Sequence, residues 1–254
     1  MNYYMNKFNY LTRNFAGNLL STMSTMSVVL LVILLGACSK DSTPVGPDSL
    51  SYSPPKAGST FRFYSYATDT TNSLPIEFSR DTTIHTFLQN GMNFAGKTNV
   101  SKISQTSRNH SDSTYLNFET NGDISIYSIL GNGRTAWVTV PIGSKTTTSM
   151  VATDTITIVS GDSIRNKFSS EFSYIGTENL TINGKTLNVI KLKLTSIQSE
   201  TKAGVTTTKT MDVFFYFAPT IGYYAKTDQP VQVPPWDDVK YEGNIEILLD
   251  YILK

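Results

Sequence analysis

The sequence predicts an all-β domain of mostly antiparallel strands, built as a single sandwich or half-barrel. Three observations predict it. Apolar and polar residues alternate with a period of two from Thr60 onward, the mark of strands with one buried face. Asn-Gly steps at 90–91, 121–122, 132–133 and 183–184 interrupt the alternating runs. They supply the positive φ that two-residue hairpin turns require. The same stretch shows no amphipathic helical period.

The runs can be taken in order. Thr60-Phe61-Arg62-Phe63-Tyr64-Ser65-Tyr66 alternates, as do Val100-Ser101-Lys102-Ile103-Ser104-Gln105-Thr106 and Asp123-Ile124-Ser125-Ile126-Tyr127-Ser128-Ile129. Thr153 to Ile158 and Asn188 to Leu194 follow the same rule. Leu180-Thr181-Ile182, Asn183-Gly184, Lys185-Thr186-Leu187 is the clearest hairpin. Val213-Phe214-Phe215-Tyr216-Phe217 is apolar on both faces, so it is buried on both sides or lines a cavity. Ala218 to Gly222 then reads as a turn into Tyr223-Tyr224-Ala225. Residues 229–239, with Pro230, Pro234 and Pro235, read as a stiff loop, and Ile245 to Leu249 as a paired closing strand. About ten strands are expected.

Composition limits the function. The chain has 254 residues, a net charge of +1 and only 16% charged residues. Nucleic-acid binding needs a clear Lys/Arg surplus and is excluded on that ground. One cysteine, Cys38, precludes an intrachain disulfide.

The N-terminal segment carries Lys7 and Arg13 without acids, then the apolar run Val28 to Leu35, then Gly36 and Ala37 before Cys38. That is the charged, apolar and small-residue order of an export signal. The run is too short for a membrane anchor, which needs about 20 apolar residues. Leu35-Gly36-Ala37-Cys38 resembles the bacterial lipobox. The resemblance implies cleavage after residue 37 and acyl chains, palmitate among them, on Cys38. Cys38-Ser39-Lys40-Asp41 resembles the mature start of Bacteroidetes-type lipoproteins. With Ser39 where an aspartate would signal retention, it implies the outer membrane, facing periplasm or cell surface. The expected organisation is a signal at 1–37, a lipid anchor and disordered Ser/Pro-rich tether at 38–58, and one β domain at 59–254. The order from Phe172 to Lys226 also resembles uncharacterised envelope β-proteins, through Gly176-Thr177-Glu178, Asn183-Gly184-Lys185 and Phe217 to Gly222.

Chemistry-bearing patterns are few. Gly91 to Thr98 spells a phosphate-binding loop. That loop works only between a strand and a helix whose amides cradle phosphate, and a strand pattern follows here, so nucleotide binding is rejected. His85 lies in an alternating strand. His110 lies in Arg108-Asn109-His110-Ser111-Asp112, which reads as a solvated turn, because a catalytic triad is a spatial arrangement and no nucleophile elbow supports one. Two separated histidines leave a zinc site short of ligands, and no metal or cofactor is expected. Trp236, Asp237 and Asp238 form a candidate ligand loop.

Asp followed by Ser or Thr occurs at seven of the thirteen Asp, more than composition suggests. The resulting triplets resemble the O-glycosylation site of Bacteroidetes envelope proteins. The resemblance implies modification at Ser42, Ser49, Thr70, Thr82, Ser113, Thr155 and Ser163.

The expected function is a non-catalytic binding or structural module of the cell envelope, held to the membrane by its lipid, with a glycan, a lipid or an envelope protein as ligand. The alternatives are a lipid or lipoprotein carrier with an apolar β-cavity, and a glycan-processing enzyme. The carrier would use the Phe214 to Phe217 strand. The enzyme would need two carboxylates facing across a cleft.

Overall fold

The computed structural model describes residues 52–108, 110–129, 135–159, 162–233 and 238–254. The chain forms one antiparallel sheet of twelve strands rather than about ten. In chain order these are β1 (Thr60–Thr68), β2 (Asp81–Phe94), β3 (Lys97–Ser107), β4 (His110–Phe118), β5 (Ile124–Ile129), β6 (Thr135–Val140), β7 (Thr147–Val159), β8 (Asp162–Ile182), β9 (Lys185–Lys202), β10 (Val205–Ala218), β11 (Tyr223–Gln229) and β12 (Gly243–Ile252). Among the described residues the only helical element is a single 3-10 turn, Glu77–Ser79.

The strand order is β6-β5-β4-β3-β2-β1-β12-β11-β10-β9-β8-β7. Every strand therefore lies beside its neighbours in sequence, with one exception. β6 and β7 are consecutive, yet they form the two edges. The order is that of an up-and-down barrel in which β1 and β12 are zipped together and the seam between β6 and β7 is open. The sheet curls far enough to bring distant strands together. The Tyr52 ring lies against Phe118 of β4 and Phe217 of β10, at centroid distances of 6.1 and 5.0 Å. Across the seam, the Thr148 hydroxyl donates to the Thr139 carbonyl at 2.9 Å.

The period-two pattern explains the core. Phe61, Phe63, Phe87, Ile103, Ile190, Leu192 and Leu248 are fully buried and fill the inside of the curl. Each large apolar side chain so buried contributes about 1.5–3 kcal/mol. Val213 to Phe217 is apolar on both faces because both faces are covered. Phe215 and Phe217 join the inner core. Outside, the Lys191 and Lys226 stems close over Tyr216, with ammonium groups 5.1 and 5.0 Å from its ring centre.

Turn chemistry holds at some positions and fails at one. Asn183 and Gly184 have φ of 49° and 75° and join β8 to β9, as a two-residue turn with both φ positive requires. Asn121-Gly122 lies between β4 and β5. Asn132 and Gly133 lie outside the described residues. Asn90-Gly91, however, falls inside β2, where the register to β3 shifts between Gln89 and Met92. The real turn comes at Ala95 and Gly96, with φ of 48° and 79°. The apparent phosphate loop is thus a bulged strand, a hairpin turn and the start of the next strand.

Tyr52 donates its hydroxyl to the Gly122 carbonyl at 3.0 Å, and Pro55 is buried. The stretch from Tyr52 to Gly58 packs on the domain because an aromatic ring and a proline bury apolar surface there. His110, Ser111 and Asp112, read from sequence as part of a turn, belong to β4, which begins at His110.

Candidate functional site

The seam holds a groove of about 310 Å³. β6 supplies Trp137, Val138 and Thr139; β7 supplies Thr148, Ser149 and Met150. Ser170 and Phe172 of β8 close it from below. Among the described residues no charged side chain lines it. The end near residues 141–146 is held shut. Asp123 there accepts the amides of Gly143 (3.0 Å) and Ser144 (2.8 Å).

Beside the groove, the outer face carries an aromatic cluster. Phe94 stacks on Tyr115 at 3.9 Å and 10°. Tyr127 meets Phe94 edge-on at 5.0 Å and Trp137 at 5.2 Å. These rings come from β2, β4, β5 and β6 and meet because register sets them on one face; Tyr127 and Trp137 are direct cross-strand partners. The Trp137 indole N–H donates to the Ala95 carbonyl at 2.9 Å. That bond fixes the ring, and Lys97 Nζ lies over one of its faces, 5.5 Å from the ring centre. Next to it, the Ser125 hydroxyl donates to Glu119 at 2.7 Å and accepts from Lys97 at 3.1 Å, and Lys97 pairs with Glu119. Partial burial works to raise the Glu119 carboxyl. The hydrogen bonds from Lys97 and Ser125 and the Lys97 charge outweigh it and hold the group below its usual range.

A second polar group lies within the core. His85 and Glu246 are 2% and 5% exposed. His85 Nδ1 is 3.2 Å from both the Tyr223 and the Tyr224 hydroxyl. Tyr224 donates to Glu246 Oε2 at 3.0 Å. Both tyrosine rings contact Phe63, Tyr223 at 6.3 Å and Tyr224 at 4.7 Å, and the register with β10 shifts just after them, at Ala225. Burial lowers His85 to about 3 and raises Glu246 to about 7, the Tyr224 hydrogen bond opposing the latter in part. Both tyrosines are pushed well up by burial. His85, Tyr223 and Glu246 are buried and Tyr224 is half-buried, and the cluster ties β2, β11 and β12 together.

The residues singled out from sequence do not converge. Asp238 pairs with Lys209 of β10; Trp236 and Asp237 lie outside the described residues, as do Ser42, Ser49 and Cys38. His110 Nε2 is 3.8 Å from Asp112, while the Ser111 hydroxyl faces Thr106 at 3.4 Å. Thr82, Ser113, Thr155 and Ser163 are exposed, and Thr70 is half-buried. The Asp81 and Asp112 carboxylates accept the next residue's amide at 2.7 Å. All five positions lie at the end of the sheet where β1–β2, β3–β4 and β7–β8 connect, opposite the end where the chain enters β1.

Sequence reasoning missed Trp137 and the aromatic cluster. The one available signal was parity. In Thr135-Ala136-Trp137-Val138-Thr139-Val140 the tryptophan falls on the polar, non-core face of its strand.

No protein-family model matches the chain, and no curated protein matches it. Among solved structures, a Parabacteroides distasonis protein described as a “putative lipoprotein” is similar over 78% of this chain and 97% of its own, at 9% identity and a TM-score of 0.41.

Proposed function

We propose that the chain is a lipid-anchored protein of the outer membrane whose β domain is a non-catalytic binding module. The observation that carries the anchoring is Leu35-Gly36-Ala37-Cys38 directly behind an eight-residue apolar run. The seam groove supports the binding role, because it combines a fixed aromatic ring with neutral polar groups in a recess. Strand order adds a geometric argument. The chain enters β1 at one end of the sheet, and the Asp-Ser and Asp-Thr pairs gather at the other. A lipid on Cys38 would hold the first end toward the membrane and present the second outward, where glycans on Thr82, Ser113, Thr155 and Ser163 would meet no steric hindrance.

The alternatives gain less. A carrier needs an open apolar cavity, and the inner face here is filled by Phe61, Phe63, Phe87 and Leu248. A glycosidase needs two facing carboxylates. Glu119, Asp154, Glu178, Asp212 and Asp228 are instead each paired with a cation.

Growth with labelled palmitate tests the anchoring. Label is expected in the native protein and not in Cys38→Ala, and the intact mass should begin at residue 38. Equal labelling of both, or a retained N-terminal segment, overturns it.

A further inference from the structure

We propose that the seam groove binds a neutral saccharide, with Trp137 as its stacking face. The proposal rests on reading the domain as a binding module and names its ligand class. Four observations support it. Among the described residues no charged side chain lines the groove, and Lys97, whose ammonium lies over one face of the Trp137 ring at 5.5 Å, is already paired with Glu119. An anionic ligand would therefore find no free counter-charge. Trp137 spends its only polar hydrogen on Ala95, so the ring face turned away from Lys97 is the apolar surface of the kind the C–H side of a sugar ring packs against. The Ser149 hydroxyl, on the face of β7 away from Met150 and Ser170, has no side-chain partner among the described residues and can donate and accept.

The fourth observation is the backbone at the edge. The Thr139 carbonyl faces the seam, because it accepts from Thr148 across it. In an antiparallel strand the N–H and C=O of one residue point the same way, and every second residue matches. The backbone N–H and C=O of Trp137 thus also face the groove, and no β7 ladder pairs them. They supply neutral donors and acceptors of the type sugar hydroxyls use.

The size of the groove decides against an added peptide strand. It spans three residues on each edge, Trp137 to Thr139 and Thr148 to Met150, roughly 10 Å of strand. The Thr148–Thr139 bond and the 141–146 connection close one end. A peptide would gain only a short ladder there, whereas a mono- or disaccharide fits that length.

The test titrates the purified full-length protein, in a detergent without a sugar headgroup, against a panel of neutral mono- and disaccharides. Glucuronic acid and a Thr/Val-rich hexapeptide serve as comparators. Tryptophan fluorescence and calorimetry read binding. At least one neutral saccharide is expected to saturate, with an affinity that does not change between low and high salt. Trp137→Ala should weaken it at least tenfold and Trp137→Phe should recover most of the loss. Trp236→Phe should keep the fluorescence response. Ser149→Tyr, at an exposed rim position that leaves Trp137 and the core untouched, should block the groove. Three results overturn the proposal: no neutral saccharide binds; one binds equally to Trp137→Ala and Ser149→Tyr; or only the anionic sugar or the peptide binds. The last result leaves the binding-module reading standing and removes the ligand class alone.

Discussion

Glu246 and His85 share two tyrosine neighbours and pull the stability of the fold in opposite directions with pH. Glu246 is raised from 4.5 to about 7. The folded chain keeps a proton the unfolded chain releases, so this contribution is full below pH 4.5 and is lost as pH rises through about 7. His85 is lowered from 6.5 to about 3. The folded chain refuses a proton the unfolded chain accepts, so that contribution is present above pH 6.5 and is lost as pH falls toward 3. Between 4.5 and 6.5 the two slopes oppose and nearly cancel. Removing either group should expose the other. Glu246→Gln is expected to gain stability across that interval, by about 2 kcal/mol at 1.36 kcal/mol per unit with allowance for relaxation, and His85→Gln to lose a similar amount. Denaturant midpoints at pH 4.5, 5.5 and 6.5 read both slopes; parallel curves for the three proteins would refute the pairing.

At the scale of elements, the edges of the sheet need the most help. β10 runs beyond the last residue of β11 that pairs with it, so Asp212 presents backbone groups without a ladder partner. The Gln232 side chain fills the place of a strand: its Oε1 accepts the Asp212 amide at 2.9 Å and its Nε2 donates to the Asp212 carbonyl at 2.7 Å. The seam is secured by Asp123, which is buried and also accepts from the Asn121 side chain at 2.9 Å. Its two bonds to backbone amides are charge-assisted, and Asp123→Ala strands both donors in a part-buried site. A loss of about 3 kcal/mol is expected, with Asp123→Asn intermediate. Hydrogen exchange at the Gly143 and Ser144 amides should accelerate before the rest of the sheet responds; uniform acceleration would mean that Asp123 does not act locally. The same logic applies to the turn before β11. A Cβ on Gly222, where φ is +66°, would come within 2.3 Å of the Ser53 carbonyl, so the turn before β11 admits only glycine while Tyr52 to Pro55 stays docked.

For the molecule as a whole, β12 is the strand that joins the two halves. It pairs with β1 on one side, Thr60 to Ile252, and with β11 on the other. All other neighbours come from adjacent hairpins, so this is the one long-range closure, and its loop entropy makes it a late and costly event. Deleting residues 243–254 should abolish cooperative unfolding of the entire domain, since each half would expose its apolar face. Residual two-state melting of the remaining strands would show that the halves are independent.

Much of this was legible in the residues. Alternation marked β1, β3, β5, β9 and the doubly apolar part of β10, because period two is a local property of a half-buried strand. The hairpin at Asn183-Gly184 was equally local. Asn90-Gly91 misled because positive φ serves a bulge as well as a turn, and only pairing with β3 distinguishes them. The open seam, the aromatic cluster around Trp137 and the Glu246–Tyr224–His85 core were decided by tertiary structure. Their members lie on different strands, and what brings them together is register and curl, which depend on pairings between residues far apart in the chain that no local pattern encodes.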